Sequence, residues 1–297
     1  MANLKEVRER IGSVKNTQQI TSAMKMVSAA KMNRAAQRIT EMRPYAEKLN
    51  EMLTNILSNL EGDASTSFNV VRPITKACVV VVTSSRGLAG AFNTNIIKAA
   101  VSVIENELQG VGNVDVICIG KKGAEFFARN YAGKAGFTIN REYQELFSDL
   151  SFDNTRQVPE LIMNRFAGEA YDSVHVAYAR FKNAAVQFSE AVQFLPVVDN
   201  NVAEGGKTTN ADYIFEPSKE TLLEELVPTI LKTRFQSFLL DTNASEHGAR
   251  MTAMDKATEN ASELLKDLKI TYNKARQEAI TKEILEIVGG AAALEDA

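Results

Sequence analysis

The feature that most limits what this chain can fold into is a seven-residue repeat of core positions, unbroken over residues 4 to 60 and again over 223 to 279. The first series steps by three and four from Leu4, Val7, Ile11 and Val14 to Leu53, Ile56 and Leu60, and thirteen of its seventeen positions are apolar. The second runs from Leu223, Leu226 and Ile230 to Tyr272, Ala275 and Ala279 with the same count, so neither is a chance alternation. A period of 3.5 kept for about eight heptads predicts supercoiled helices, because a straight surface helix drifts out of phase over that length. At about 1.5 Å per residue each stretch is a rod of roughly 85 Å. Equal rods in one chain predict an antiparallel hairpin, with residue 60 near 223, residue 4 near 279, and the intervening residues carried at one end like a head on a shaft.

Two irregularities qualify the first rod. Pro44 lies inside it without breaking the count, which predicts one bent helix. Gln18, Thr21, Lys25 and Ser28 make four consecutive core positions polar, while Ile20, Met24, Met26 and Val27 place apolar groups off the seam. That zone is expected to touch something besides its hairpin partner; a looser crossing or a register-setting polar layer is the other reading.

Between the rods the pattern changes. A polar linker over 61–75 leads to a β-branched run, Lys76 to Thr83, then Ser84-Ser85-Arg86-Gly87-Leu88-Ala89-Gly90 and a helix from Asn93 to about Leu108. Val114 to Gly120 reads as a strand, Lys121 to Tyr131 as helix, Thr138-Ile139 as a short strand and Glu160 to Tyr171 as helix. Ser173 to Phe181 and Val186 to Val197 read as strands joined through Lys182-Asn183-Ala184. Strands alternating with helices predict a mostly parallel sheet closed by an antiparallel hairpin. A second linker covers 199–212, and Pro217 is expected to open the last helix, with a bend at Pro228. The fold class is therefore α/β: a long antiparallel coiled coil of N- and C-terminal helices (1–60 and 216–288) with an inserted Rossmann-like α/β domain (76–198).

Composition excludes more than it assigns. No apolar run reaches the 18 or so residues of a membrane span, and no signal-peptide core opens the chain, so a cytoplasm-like compartment is expected. Residues 1 to 43 carry nine Lys/Arg against three Glu and no aromatic side chain, a basic helix that suits an acidic protein partner or a solvated face better than nucleic acid. Cys78 and Cys118 fall in short apolar runs and read as buried structural thiols.

Catalytic chemistry finds no foothold. The turn after the first strand has Gly87 and Gly90 but neither G-x-G-x-x-G nor G-K-[ST], so a nucleotide site there lacks its phosphate cradle. His175 and His247, the only histidines, have no neighbouring ligands for a metal, and Ser85 with His175 has no nucleophile elbow. Beyond Ala279 the last helix outruns its partner yet carries Ile280, Ile284, Leu285, Ile287 and Val288, then Ala291 to Leu294. An apolar helix end without an internal partner predicts a seat in an apolar collar of another protein.

Three stretches then match one family. Ile11-Gly12-Ser13-Val14-Lys15-Asn16-Thr17 continuing to Met32, the head's Arg86-Gly87-Leu88-Ala89-Gly90-Ala91-Phe92-Asn93, and Ile280-Thr281-Lys282-Glu283-Ile284-Leu285-Glu286-Ile287-Val288-Gly289-Gly290-Ala291 after Tyr272 to Gln277 closely resemble the gamma subunits of F-type ATP synthases. The resemblance implies a non-catalytic central rotor stalk, without cofactor or metal, turning inside a ring of alpha and beta subunits and standing on the c-subunit ring beside epsilon. It implies that Met24 and Lys25 meet the acidic lever of a beta subunit, and that Arg250, Arg276, Gln277, Thr281 and Glu283 make polar contacts with beta-subunit loops. It also implies a peripheral protein on the cytoplasmic face of a bacterial membrane. No chloroplast-type cysteine insertion is present, so thiol regulation is not expected.

Overall fold

A computed structural model of the chain describes residues 4–58, 67–197 and 219–295. Leu60, the linker residues 61–66, the second linker at 199–212 and Pro217 lie outside the described residues. In chain order the elements are α1 (Leu4–Ser58), β1 (Lys76–Val82), α2 (Phe92–Ser102), a π-helical segment (Val103–Glu107), β2 (Asn113–Ile119), α3 (Lys121–Asn130) and β3 (Phe137–Asn140). A 3-10 turn (Leu146–Ser148), α4 (Phe152–Thr155), α5 (Gln157–Ala167), β4 (Ser173–Phe181), β5 (Gln187–Leu195) and α6 (Lys219–Glu295) complete the series. Pro44 and Pro228 both sit inside helices that continue past them. Sequence pattern had not indicated the π segment, the 3-10 turn or α4, each under six residues and too short for a periodicity to register.

Two compact units form: Ala29–Arg250, and Met1–Ser28 with Met251–Ala297. The larger is built on a five-stranded sheet ordered β3-β2-β1-β4-β5, in which β1 pairs in parallel with β2 and β4, β2 with β3, and only β4–β5 is antiparallel. The expected hairpin through Lys182-Asn183-Ala184 is that antiparallel pair. Because β1 is central and covered on both faces, its run Ala-Cys-Val-Val-Val-Val is buried throughout and shows no alternation in chemistry. Its residues nevertheless divide by side. Cys78, Val80 and Val82 join Val158, Ile162 and Phe166 of α5 and Val227, Leu231, Phe235 and Leu239 of α6. Ala77, Val79 and Val81 join Phe92, Ile96 and Ala100 of α2 and Ala124 and Phe127 of α3. Both free cysteines are buried in these strands, Cys78 and Cys118 alike.

Local geometry at the strand ends explains particular residues. Gly120 has φ +88°, and a Cβ there would meet the Thr83 carbonyl oxygen at 2.0 Å, so only glycine allows β2 to turn into α3. Thr83 then accepts a bond from the Gly123 amide at 2.8 Å. In the turn after β1, Asn93 Oδ1 accepts from the Ser84 amide at 2.9 Å, and Leu88 takes a left-handed φ of 63° with its side chain exposed.

Candidate functional site

The carboxyl ends of β1 and β4 flank the point where the strand order reverses, the crevice that receives ligand in many doubly wound sheets. In this chain its own α6 occupies that ground. Thr242 Oγ1 accepts from the Ala179 amide at 3.3 Å, and Ser245 Oγ donates to the Ala179 carbonyl at 3.2 Å. One turn on, the Arg250 guanidinium donates to the carbonyls of Gly87 and Arg86 at 3.3 Å each and to Glu246 at 2.7 Å. Arg250 is thus buried and engaged inside the larger unit. Burial pushes the Glu246 carboxyl up against the pull of Arg250, and holds His247 down to about 4, helped by Arg250 and Lys31. His175 is likewise held below its usual range by burial in β4, bonded to Ser173 at 2.9 Å.

The smaller unit is where most of the expected contact residues lie. Helices α1 and α6 run antiparallel in it, tied by three successive polar layers: Gln18 to Ser262 at 2.7 Å, Thr21 to Thr258 at 2.8 Å and Lys25 to Asp255 at 2.5 Å. The paired numbers add to 280, 279 and 280, against 283 for the register expected from the heptads, so the helices are shifted by about one turn. Asp255 and Ser262 stand one residue off the expected seam of Met254, Thr258 and Ala261. The signal that could have found them was the demand of Gln18 and Lys25 for partners, which an apolar seam cannot meet.

Beside these layers Ile20, Met26 and Val27 are 60%, 65% and 57% exposed, while Met24 is half-buried. Lys25 keeps 42% of its side chain in solvent. Arg276, Gln277, Thr281 and Glu283 are all exposed on α6, with Thr281 Oγ1 donating to the Gln277 carbonyl at 2.9 Å. In the observed register Leu4 is level with residue 275 or 276, so among the described residues no part of α1 faces the stretch after it. There Ile280, Ile284, Leu285, Ile287 and Val288 are 48–71% exposed. At 100° per residue they cover about 160° of the helix, with Arg276 and Glu283 along one margin and Gln277 and Thr281 inside the arc. The Lys25 layer and the group beginning at Arg276 are roughly 30 Å apart along α6. They are two zones, and Arg250 belongs to neither. Side chains from 292 onward, Leu294 included, lie outside the described ones.

Among the described residues no helix is long and apolar enough to cross a membrane, and no cluster of three His, Cys, Asp or Glu suits a metal. Residues 3–294 match the family model described as ATP synthase. The chain is similar to the ATP synthase gamma chain of Cytophaga hutchinsonii, 56% identical over 300 residues and the full length of both. The gamma chain of Flavobacterium psychrophilum is 50% identical over 295 residues, 99% of this chain and all of the other. Among solved structures, a chain of the Euglena gracilis mitochondrial ATP synthase (OSCP/F1/c-ring, rotational state 3) superimposes with a TM-score of 0.65 at 20% identity, covering 98% and 94%. A chain of the Tetrahymena thermophila central stalk and c-ring gives 0.56 at 22%, covering 80% and 99%. At these identities the structural likeness supports the fold, and the sequence relatives carry the rest.

Proposed function

The chain belongs to the family of ATP synthase gamma chains, and on that premise we propose that it is the central rotor stalk, coupling ion flow through the membrane sector to ATP synthesis or hydrolysis on the beta subunits. Its partners are then the alpha and beta subunits of the catalytic ring, the epsilon subunit and the c-ring. It is a peripheral component on the cytoplasmic face of the membrane and holds no catalytic site of its own. The observation that carries this reading is the apolar end of α6, where five large aliphatic side chains stand in solvent and, among the described residues, no part of α1 faces them. Such a surface suits a dry collar formed by several subunits.

Coupling follows from differences between faces. A ligand shifts a conformational equilibrium only by its unequal affinity for the two states. The helix pair offers unlike faces: the Lys25 ammonium with Met24 and Val27 on one part, and Arg276, Gln277, Thr281 and Glu283 around the aliphatic end. Turning it within a ring presents each beta subunit in succession with a different set, which biases that subunit between open and closed forms. The filled crevice at β1 and β4 supports leaving nucleotide chemistry to those neighbours.

The test is reconstitution. Purified chain is mixed with alpha and beta subunits and ATP turnover is measured with and without residues 280–295. Full-length chain should assemble and restore turnover, and the shortened chain should lose at least tenfold. Equal turnover from both would sink the proposal.

A further inference from the structure

Lys25 has three donor hydrogens, and among the described residues its one bonding partner is Asp255 on the opposite helix. That bond is not a buried ion pair. The two side chains keep 42% and 45% of their surface in solvent, and the neighbouring groups on α1 are the exposed Ile20 and Val27 and the half-buried Met24. Asp255 therefore does two things at once. It draws the ammonium back onto the seam, so the long lysine side chain is not free to sweep through solvent, and it leaves two N–H directions open outward. It also cancels part of the charge that an approaching carboxylate would feel. The adjoining layers, Thr21 with Thr258 and Gln18 with Ser262, keep α6 at the height where Asp255 is level with Lys25.

We propose that Asp255 is a positioning residue for the coupling contact: it presents the Lys25 ammonium to an acidic segment of a ring subunit and, as a competing counter-charge, limits how tightly that segment is held. This rests on the proposed function and on the contact between Lys25 and an acidic beta-subunit lever that the family resemblance implies. A contact that must form and release at every step of rotation needs an attraction that can be exchanged, and an internal carboxylate offers the exchange: the ammonium returns to Asp255 as the outside carboxylate leaves. A lysine without that partner would hold the acidic segment longer and would be more sensitive to salt, because exposed charges are screened within about 10 Å at 0.1 M.

A double-mutant cycle in the assembled complex tests this, with turnover of ATP measured across ionic strength for Lys25→Gln, Asp255→Asn and the pair, and with Asp255→Glu as the conservative variant. Asp255→Asn should change turnover about two- to fivefold, the scale of a half-exposed ion pair, and should steepen its salt dependence. Asp255→Glu should restore both, and in the Lys25→Gln background Asp255→Asn should do nothing further. If Lys25→Gln alters turnover but Asp255→Asn does not, or if Asp255→Asn acts equally in both backgrounds, the role of Asp255 is refuted while the Lys25 contact stands. If Lys25→Gln is itself silent, the contact reading fails and the proposal with it. Thermal melting of the full chain supplies the control: an effect of Asp255→Asn that follows a loss of melting temperature, and that Asp255→Glu does not repair, would mark a merely structural role and overturn the proposal.

Discussion

Helix α6 passes through both compact units, and its apolar residues meet opposite fates in them. Between Val227 and Leu240 it carries Ile230, Leu231, Phe235, Phe238 and Leu239, all buried, because the sheet and α5 enclose it in the larger unit. Between Ile280 and Val288 a comparable set of aliphatic side chains is exposed. The chemistry of the two stretches is alike and the coverage is not, so apolar content alone does not say whether a helix face is core or interface. The cores differ in kind as well. The larger unit has an extensive apolar cluster on each side of the sheet, whereas the smaller has three hydrogen-bonded polar layers in the middle of its seam. One is held by burial, and the other is a pair of helices with little buried area of its own, suited to gaining more from a neighbour.

That contrast can be broken or sharpened by substitution. The largest effect is expected from Phe127→Ala, which empties a fully buried site in the α3 layer and should cost about 3–5 kcal/mol in urea unfolding of the larger unit. Next is Arg250→Met. It leaves the buried Glu246 carboxylate without its guanidinium and the Arg86 and Gly87 carbonyls without their donor, and a loss of about 3 kcal/mol is expected by the same measurement. Asp241→Asn should act in the opposite sense. Burial raises the Asp241 carboxyl to about 6, above its ordinary 3.8, against the pull of Arg43 and Arg180. Its contribution to stability is therefore present below pH 3.8 and lost as pH rises through about 6. The asparagine variant should be up to about 3 kcal/mol more stable than the parent at pH 7, with the gain shrinking towards pH 4.

Smaller changes are expected in the other unit. Replacing Thr21 and Thr258 together by valine exchanges one polar layer for an apolar one of similar shape and should shift its melting by no more than about 1 kcal/mol. A large loss would show that the polar seam is essential to the fold. Ile287→Ser should be the mildest for the isolated chain, within about 0.5 kcal/mol, because the side chain is already 71% exposed. A marked destabilisation would mean that the end of α6 is covered by the chain itself, and the contrast drawn above would fail.

Much of this was legible in the residues. The β-branched run at Lys76 and the stretch Ser173 to Phe181 located central strands to within a residue of their ends; for the first, burial on both faces imposes a continuous apolar run directly. Pro44 was correctly read as lying within one helix. The seam was harder. A heptad count identifies the face of a helix but not its height against the partner, since every layer of aliphatic residues resembles the next; only the hydrogen-bonding demands of Gln18, Thr21 and Lys25 distinguish one level from another. Arg250 illustrates a different limit. The family resemblance implies a contact with beta-subunit loops for it, and no pattern in the sequence signals that its guanidinium lies beneath the Arg86–Gly87 turn, more than 160 residues earlier in the chain.

By itself the sequence determined the helix pair, the strand and helix alternation between its arms, the basic character of the first helix and the apolar end of the last, because these follow from periodicity and composition within single segments. The tertiary structure alone decided that α6 fills the crevice at the sheet's switch point, that Asp255 meets Lys25, and which aliphatic stretch of α6 is left in solvent. Those outcomes depend on which distant groups arrive together, and that is set by packing and register between segments, quantities no single segment contains.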